Sequence, residues 1–179
     1  MSASATAETA AIVLREATAA DHGEIHRFVK TAFATAKVSN GTEQDFVDGL
    51  HASAAHVPAL ERVAVAAGEI VGHVMLTRFA IDTDVGPGPV LLLAPLAVAL
   101  EHRRAGLGAR LMNDVLERAR RLGDDAVVLV GDPAYYGRFG FGRSADRGIT
   151  NRNGIPDQYV LVADLVPGAL DGVCGTVTF

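Results

Sequence analysis

A single cysteine, Cys174, stands among the 179 residues. No intramolecular disulfide can therefore staple the chain, and a lone thiol suits a reducing compartment, the cytoplasm. With no neighbouring base or cation to favour a thiolate, Cys174 reads as buried packing. Long apolar runs are missing too. The longest, Val90 to Leu100, is far shorter than a bilayer span and is broken by Pro95, so no membrane is expected as a partner. The opening MSASATAETAA lacks a basic region ahead of an apolar core, which excludes a signal peptide and predicts a disordered lead-in over residues 1–11. There is no basic excess either: the net charge of −5 offers no field to hold nucleic acid or an anionic membrane. Internal repeats are absent, as are the His-Glu-x-x-His order of a zinc helix and the Gly-Lys-Ser/Thr of a Walker loop. His22 and His26 lack a third ligand and read as surface residues. Asp82 and Asp84 have no ligand loop after them and read as a solvated turn, so no metal is expected.

Hydrophobic residues at 49% and charged ones at 21% suit one ordinary globular domain over residues 12–179. A short strand at Ile12–Arg15 leads to a helix with Ile25, Phe28, Val29 and Phe33 on its apolar face and Asp21 at its start. Val38–Gly41 reads as a turn, and a second helix follows from Thr42, where Thr42 and Asp45 suggest a capping box. His51 and His56 lie near its end, where a cation suits the helix dipole. Strands at Leu60–Ala66 and Ile70–Ile81 join at Ala67-Gly68-Glu69, and Asp82–Pro89 reads as a turn-rich connector.

The informative stretch is Val90–Leu122. An apolar strand gives way to Glu101-His102-Arg103-Arg104-Ala105-Gly106-Leu107-Gly108, then to a helix with Leu107, Leu111, Val115, Ala119 and Leu122 on one stripe. Asp114 with Arg118 and Glu117 with Arg121 form acid-before-base pairs on the wet side. The first amides of a helix have no intrahelical partner and carry partial positive charge, so this loop suits an anion. A Rossmann fingerprint fails, because five residues separate the strand from the glycines and Leu111 stands where a small residue is needed. Gly123 stops the helix, and Ala126–Val130 reads as a strand parallel to the first. Asp132-Pro133 opens a short helix carrying Tyr135, Tyr136 and Phe139. Residues 144–157 read as a loop too polar for core, and Tyr159–Leu165 and Gly172–Phe179 as strands.

Arg103-Arg104-Ala105-Gly106-Leu107-Gly108 resembles the Arg/Gln-x-x-Gly-x-Gly/Ala pyrophosphate loop of the GNAT superfamily of N-acetyltransferases. Leu96-Ala97-Val98 matches the strand that precedes it there, and Tyr136-Gly137-Arg138-Phe139-Gly140-Phe141 matches the Tyr-x-x-x-Gly-Phe signature that follows. Within that superfamily the chain is similar to the small bacterial YhbS-like branch. The resemblance implies a single α/β (α+β) domain whose mixed, largely antiparallel sheet of about six to seven strands is flanked by helices and splayed at the central strand.

It further implies acetyl-coenzyme A as co-substrate, with pantetheine along Leu96, Ala97 and Val98 and the pyrophosphate on Arg103, Arg104, Ala105, Gly106, Leu107, Gly108 and Ala109. Arg103, Arg104 and Arg110 are alternative phosphate partners. The implied reaction moves the acetyl group to a primary amine of a small molecule or peptide by direct attack on the thioester. A backbone N–H near Val98 would stabilise the oxyanion, and Tyr136 would serve as general acid. For the base, Glu101 is the working choice among Glu101, Glu43, Asp45, Asp82 and His73. An asparagine common in the family ahead of the tyrosine helix is replaced by Gly131-Asp132-Pro133-Ala134. The alternative is a non-catalytic acyl-coenzyme A sensor or interaction module of the same fold, and a homodimer is an assembly the resemblance allows.

Overall fold

The computed structural model describes residues 11–35 and 41–179. The expected lead-in, up to residue 10, and Val38–Asn40 of the expected turn lie outside them. Nine strands form one sheet among the described residues: β1 Val13–Glu16, β2 His56–Ala66, β3 Glu69–Thr83, β4 Gly86–Val98, β5 Ala126–Val130, β6 Gly142–Arg143, β7 Ile149–Asn151, β8 Val160–Asp164 and β9 Gly175–Val177. The order is β1-β2-β3-β4-β5-β8-β6, with β9 joining β3 and β7 at one margin. Pairing is antiparallel except between β4 and β5 and between β7 and β9. The strand count exceeds the expected six to seven because short, polar pieces also pair.

β2 and β3 meet at Ala67 and Gly68, with φ of 51° and 87°, a two-residue turn whose positive φ angles match the twist of the strands it joins. The supposed connector at residues 82–89 is instead a continuation of the β3–β4 hairpin. Its ladder runs through Asp82↔Pro87 to Thr83↔Gly86, because proline can sit in a strand where its missing N–H would not be used. The stretch at 144–157 also differs from expectation: it contains β7, and Ile149 is fully buried. A single apolar residue among polar neighbours supplies too little periodicity to announce a strand.

Helices cover both faces. Helix α3, Leu107–Arg121, buries Leu107, Leu111, Met112, Val115, Leu116 and Ala119 against Val71, Val74 and Leu76 of β3 and Leu91 and Leu93 of β4. Each large side chain there contributes about 1.5–3 kcal/mol. Gly72 permits the approach, since a Cβ there would collide with Leu111. Leu122, expected to extend the stripe, is 52% exposed because Gly123 turns the chain at φ 84°. The surface pairs form as expected, Asp114–Arg118 at 3.0 Å and Glu117–Arg121 at 3.1 Å. Asp114 also binds Arg62 of β2 at 2.7 Å, tying helix to sheet.

On the opposite face lie α1, His22–Phe33, and α2, Glu43–His51. Ile25, Val29 and Val47 pack there on Val63, Ile70 and Met75. Asp21 does not cap α1 directly. It accepts bonds from Thr18 N, Thr18 Oγ1 and Arg15, which fastens the chain ahead of the helix. Of the two histidines read as surface residues, His26 pairs with exposed Asp48, while His22 is half-buried against His51. His51, His56 and His73 all bond the buried carboxylate of Glu61. Burial pushes the Glu61 carboxyl up, but the bonds from His73 and His51 outweigh it and bring it down to about 2, so the group is ionised. Cys174, expected in the core, is exposed beside Gly148, because β9 lies at the margin of the sheet.

Candidate active site

β4 and β5 pair only at Leu91↔Val127 and Leu92↔Val128. Beyond these, β5 pairs β8 along its whole length, while β4 continues to Val98 along β3. The two central strands therefore part, which is the expected splay. The β3–β4 register shifts between Val74 and Leu76, opposite Leu96 and Leu93, and the intervening Ala94–Pro95 peptide is cis.

The free edge of β4 can be read from its bonds. Ala99 donates its N–H to Val71 of β3, whereas the carbonyl of Val98 accepts from Arg103 Nε at 3.0 Å. N–H and C=O of one strand residue point the same way and alternate along the chain. Val98 and Leu96 thus turn their N–H groups away from β3, into the opening. Pro95 has none to offer.

That opening is a cleft of about 780 Å³ lined by Leu96, Ala97 and Val98 on one wall and Asp132, Tyr135, Tyr136 and Arg138 on the other. Its end is the loop Arg103–Ala109. Gly106 takes φ 82°, a left-handed turn that aims the first amides of α3 into the cleft. Arg110 N reaches back to Gly106 O, so the N–H groups of Leu107, Gly108 and Ala109 lie ahead of the first intrahelical bond. Gly108 has no room for a Cβ beneath the hydroxyl of Tyr135.

The three candidate arginines have different duties. Arg103 donates to Val98 O, to Ala32 O at 2.7 Å and to Thr35 Oγ1, so it locks the C-terminus of α1 to the loop. Arg110 reaches Ile12 O and does not line the cleft. Arg104, at φ 63°, lines the cleft and has no bonded side-chain partner among the described residues. Sequence reasoning could not separate the three, because only the packing of α1 decides which one it engages.

Tyr136 comes from α4, Pro133–Tyr136, which is started by Pro133 and by Asp132 accepting from Ala134 N at 2.9 Å. Its ring packs on Phe141 and Tyr135 and against Gly131, where a Cβ would collide with it. Gly131 thus makes space for this ring. Burial, with a smaller push from Tyr135, raises the Tyr136 phenol well above the ordinary tyrosine value. Tyr135 also lines the cleft, with Arg138 over its ring at 4.1 Å; its nearness to Gly108 left no trace in the sequence.

The candidate bases scatter. Glu101 is exposed in the turn Leu100–His102 and lines a separate cavity of about 630 Å³ that shares Ala32 and Arg103 with the cleft. His73 is wholly buried on Glu61, Asp82 lies near Arg152 at 3.7 Å, and Glu43 and Asp45 begin α2. None of these lines the cleft.

Comparison with known proteins agrees with this geometry. The sequence pattern of the acetyltransferase (GNAT) domain matches residues 13–144. The uncharacterized N-acetyltransferase YjhQ of Escherichia coli K12 is 32% identical over 140 residues, 78% of this chain and 75% of its own. The crystal structure of the GNAT family N-acetyltransferase YhbS from Escherichia coli, in complex with CoA, superposes with a TM-score of 0.83 at 27% identity, over 95% of this chain and 90% of that one. A GNAT family acetyltransferase from Brucella melitensis in complex with acetyl-CoA gives 0.77 at 26% identity, over 94% and 96%. A loop of helix amides below a parted pair of central strands, carried on a chain so matched, identifies this protein as a member of the GNAT family of acetyltransferases.

Proposed function

We propose that the protein transfers an acetyl group from acetyl-coenzyme A to a primary amine of a small molecule or peptide, with the donor lying in the cleft between β4 and β5. The observation that carries this reading is the unpaired edge of β4 ending at the amides of α3. An extended, peptide-like pantetheine fits such an edge as an added strand would. The pyrophosphate fits the N–H groups of Leu107, Gly108 and Ala109, with Arg104 as the cation free to approach it. Arg103 supports the loop, and Leu96, Ala97, Val98 and Gly106 line the wall, while Ala105 belongs to the loop but does not line the cleft. Acetyl-coenzyme A supplies a thioester, whose carbonyl carbon accepts the amine nitrogen.

The Val98 N–H faces the cleft, where it can donate to developing oxyanion charge; one such preorganised donor is typically worth about 3–4 kcal/mol. Tyr136 holds its proton because its buried environment disfavours the phenolate, so it is available to the departing thiolate as general acid. Glu101 stands across Arg103 from the cleft, so its service as base would run through water. No helix among the described residues is long and apolar enough to cross a membrane, and an exposed, unpaired Cys174 favours the reducing cytoplasm as its setting.

Thermal unfolding with acetyl-coenzyme A, coenzyme A and NAD tests the donor site. At about a hundred times its dissociation constant, a coenzyme should add roughly 2.7 kcal/mol of stability. A rise with coenzyme A forms and none with NAD is expected, followed by product formation with a panel of amines. No rise with either coenzyme form overturns the reading; binding without transfer to any amine would favour a sensor module.

A further inference from the structure

β2 buries Glu61, only 1% exposed, within a largely apolar strand, and a buried carboxylate demands partners. His51 and His73 bring Nε2 to 2.7 and 2.8 Å from its Oε1, and His56 Nε2 lies 2.8 Å from Oε2. His22 stacks on His51, ring centroids 3.6 Å apart and planes 5° from parallel, while His56 stands edge-on to both. The remaining nitrogens, Nδ1 of His51 and of His73, are buried with no hydrogen-bond partner among the described residues. One nitrogen each from His22 and His51 and one oxygen of Glu61 lie within 4.8 Å of one another.

We propose that His22, His51 and Glu61 bind a zinc-class divalent cation, with His73 as the positioning residue that orients Glu61 and His56 holding its other oxygen. A tetrahedral zinc with bonds of about 2.0–2.2 Å separates its ligand atoms by about 3.4 Å, a spacing these atoms approach with small side-chain rotations. Imidazole lone pairs lie in the ring plane, so one of the two stacked rings must tilt for both to converge. His22 can do so: it is only half-buried, begins α1, and its side chain makes no hydrogen bond among the described residues. Two imidazoles with one carboxylate, and water in the fourth position, suit zinc rather than calcium or magnesium, which take oxygen ligands. The His73 Nε2 contact on Glu61 is the outer bond that commonly fixes a metal-binding side chain. The cation would join the start of α1, the end of α2 and β2, on the face of the sheet opposite α3. The site is independent of the acetyl-transfer reading.

Tag-free full-length protein, stripped with EDTA and titrated with Zn²⁺ by calorimetry and with Co²⁺ by visible absorption, tests this. The expected result is one equivalent of either ion and tetrahedral Co²⁺ bands. His22→Ala and His51→Ala should lose uptake while circular dichroism shows them folded, and His73→Gln should weaken it about 10–100-fold. His26→Ala removes the more exposed His26–Asp48 pair and should leave uptake unchanged. Absence of stoichiometric binding by the unaltered chain overturns the proposal. So does uptake that His22→Ala and His51→Ala both retain, or that His26→Ala removes.

Discussion

In the cleft, β4 leaves the N–H groups of Leu96 and Val98 turned away from its neighbour, and Arg104 lines the wall with no bonded side-chain partner among the described residues. Two strands away, on β2, Glu61 has both oxygens bonded, to His51 and His73 on one and His56 on the other. The difference lies in what the sheet does around each. β2, β3 and α2 close over Glu61, and a charge removed from water survives only when bonded. β4 and β5 part, so their polar groups keep access to solvent and remain available to a ligand. An open strand edge serves binding; a satisfied buried carboxylate serves cohesion until something displaces its hydrogen bonds.

Substitutions can break this contrast from either side. The largest effect is expected at Tyr136→Phe, which removes one oxygen and keeps the ring that packs on Phe141 and Gly131. Turnover should fall about 10²–10⁴-fold, with coenzyme affinity from calorimetry nearly unchanged; an unchanged turnover across pH would remove Tyr136 as the acid. Next comes Glu61→Leu, which leaves three imidazoles without their acceptor. A loss of about 3 kcal/mol or more is expected in urea unfolding, with coenzyme binding by the folded fraction retained. Equal stability of the variant would show that the cluster contributes little cohesion.

Within the cleft, Arg104→Ala should weaken coenzyme affinity about tenfold without lowering the melting midpoint, since the side chain has only a ligand to lose. Arg103→Ala should do the reverse, costing about 1–2 kcal/mol of stability through its bonds to Ala32 and Val98, with the smaller effect on affinity. Exchanged outcomes would exchange the two roles. The smallest effect concerns pH. The phenol of Tyr136 titrates higher in the folded state than in the unfolded chain. Its contribution to stability is therefore intact below the ordinary tyrosine value of about 10 and lost as pH rises beyond it. Tyr136→Phe should flatten that alkaline loss in a melting series; an unaltered slope would assign it to other groups.

The glycine loop, the helix behind it and the tyrosine signature were legible because each is local. A left-handed turn at Gly106, the amphipathic period of α3 and the start of α4 at Asp132-Pro133 depend on neighbours a few residues apart. The sequence by itself therefore determined the family and a loop whose free helix amides suit an anion, and its resemblance implied the parted central strand. It did not reveal that Arg103 belongs to α1, that Tyr135 overlies Gly108, or that Cys174 is exposed. Nor did it show that four histidines spread over residues 22–73 gather at Glu61. Those assignments follow from which faces meet across the sheet, and a side chain's duty there is set by atoms distant in the chain, where periodicity and spacing carry no signal.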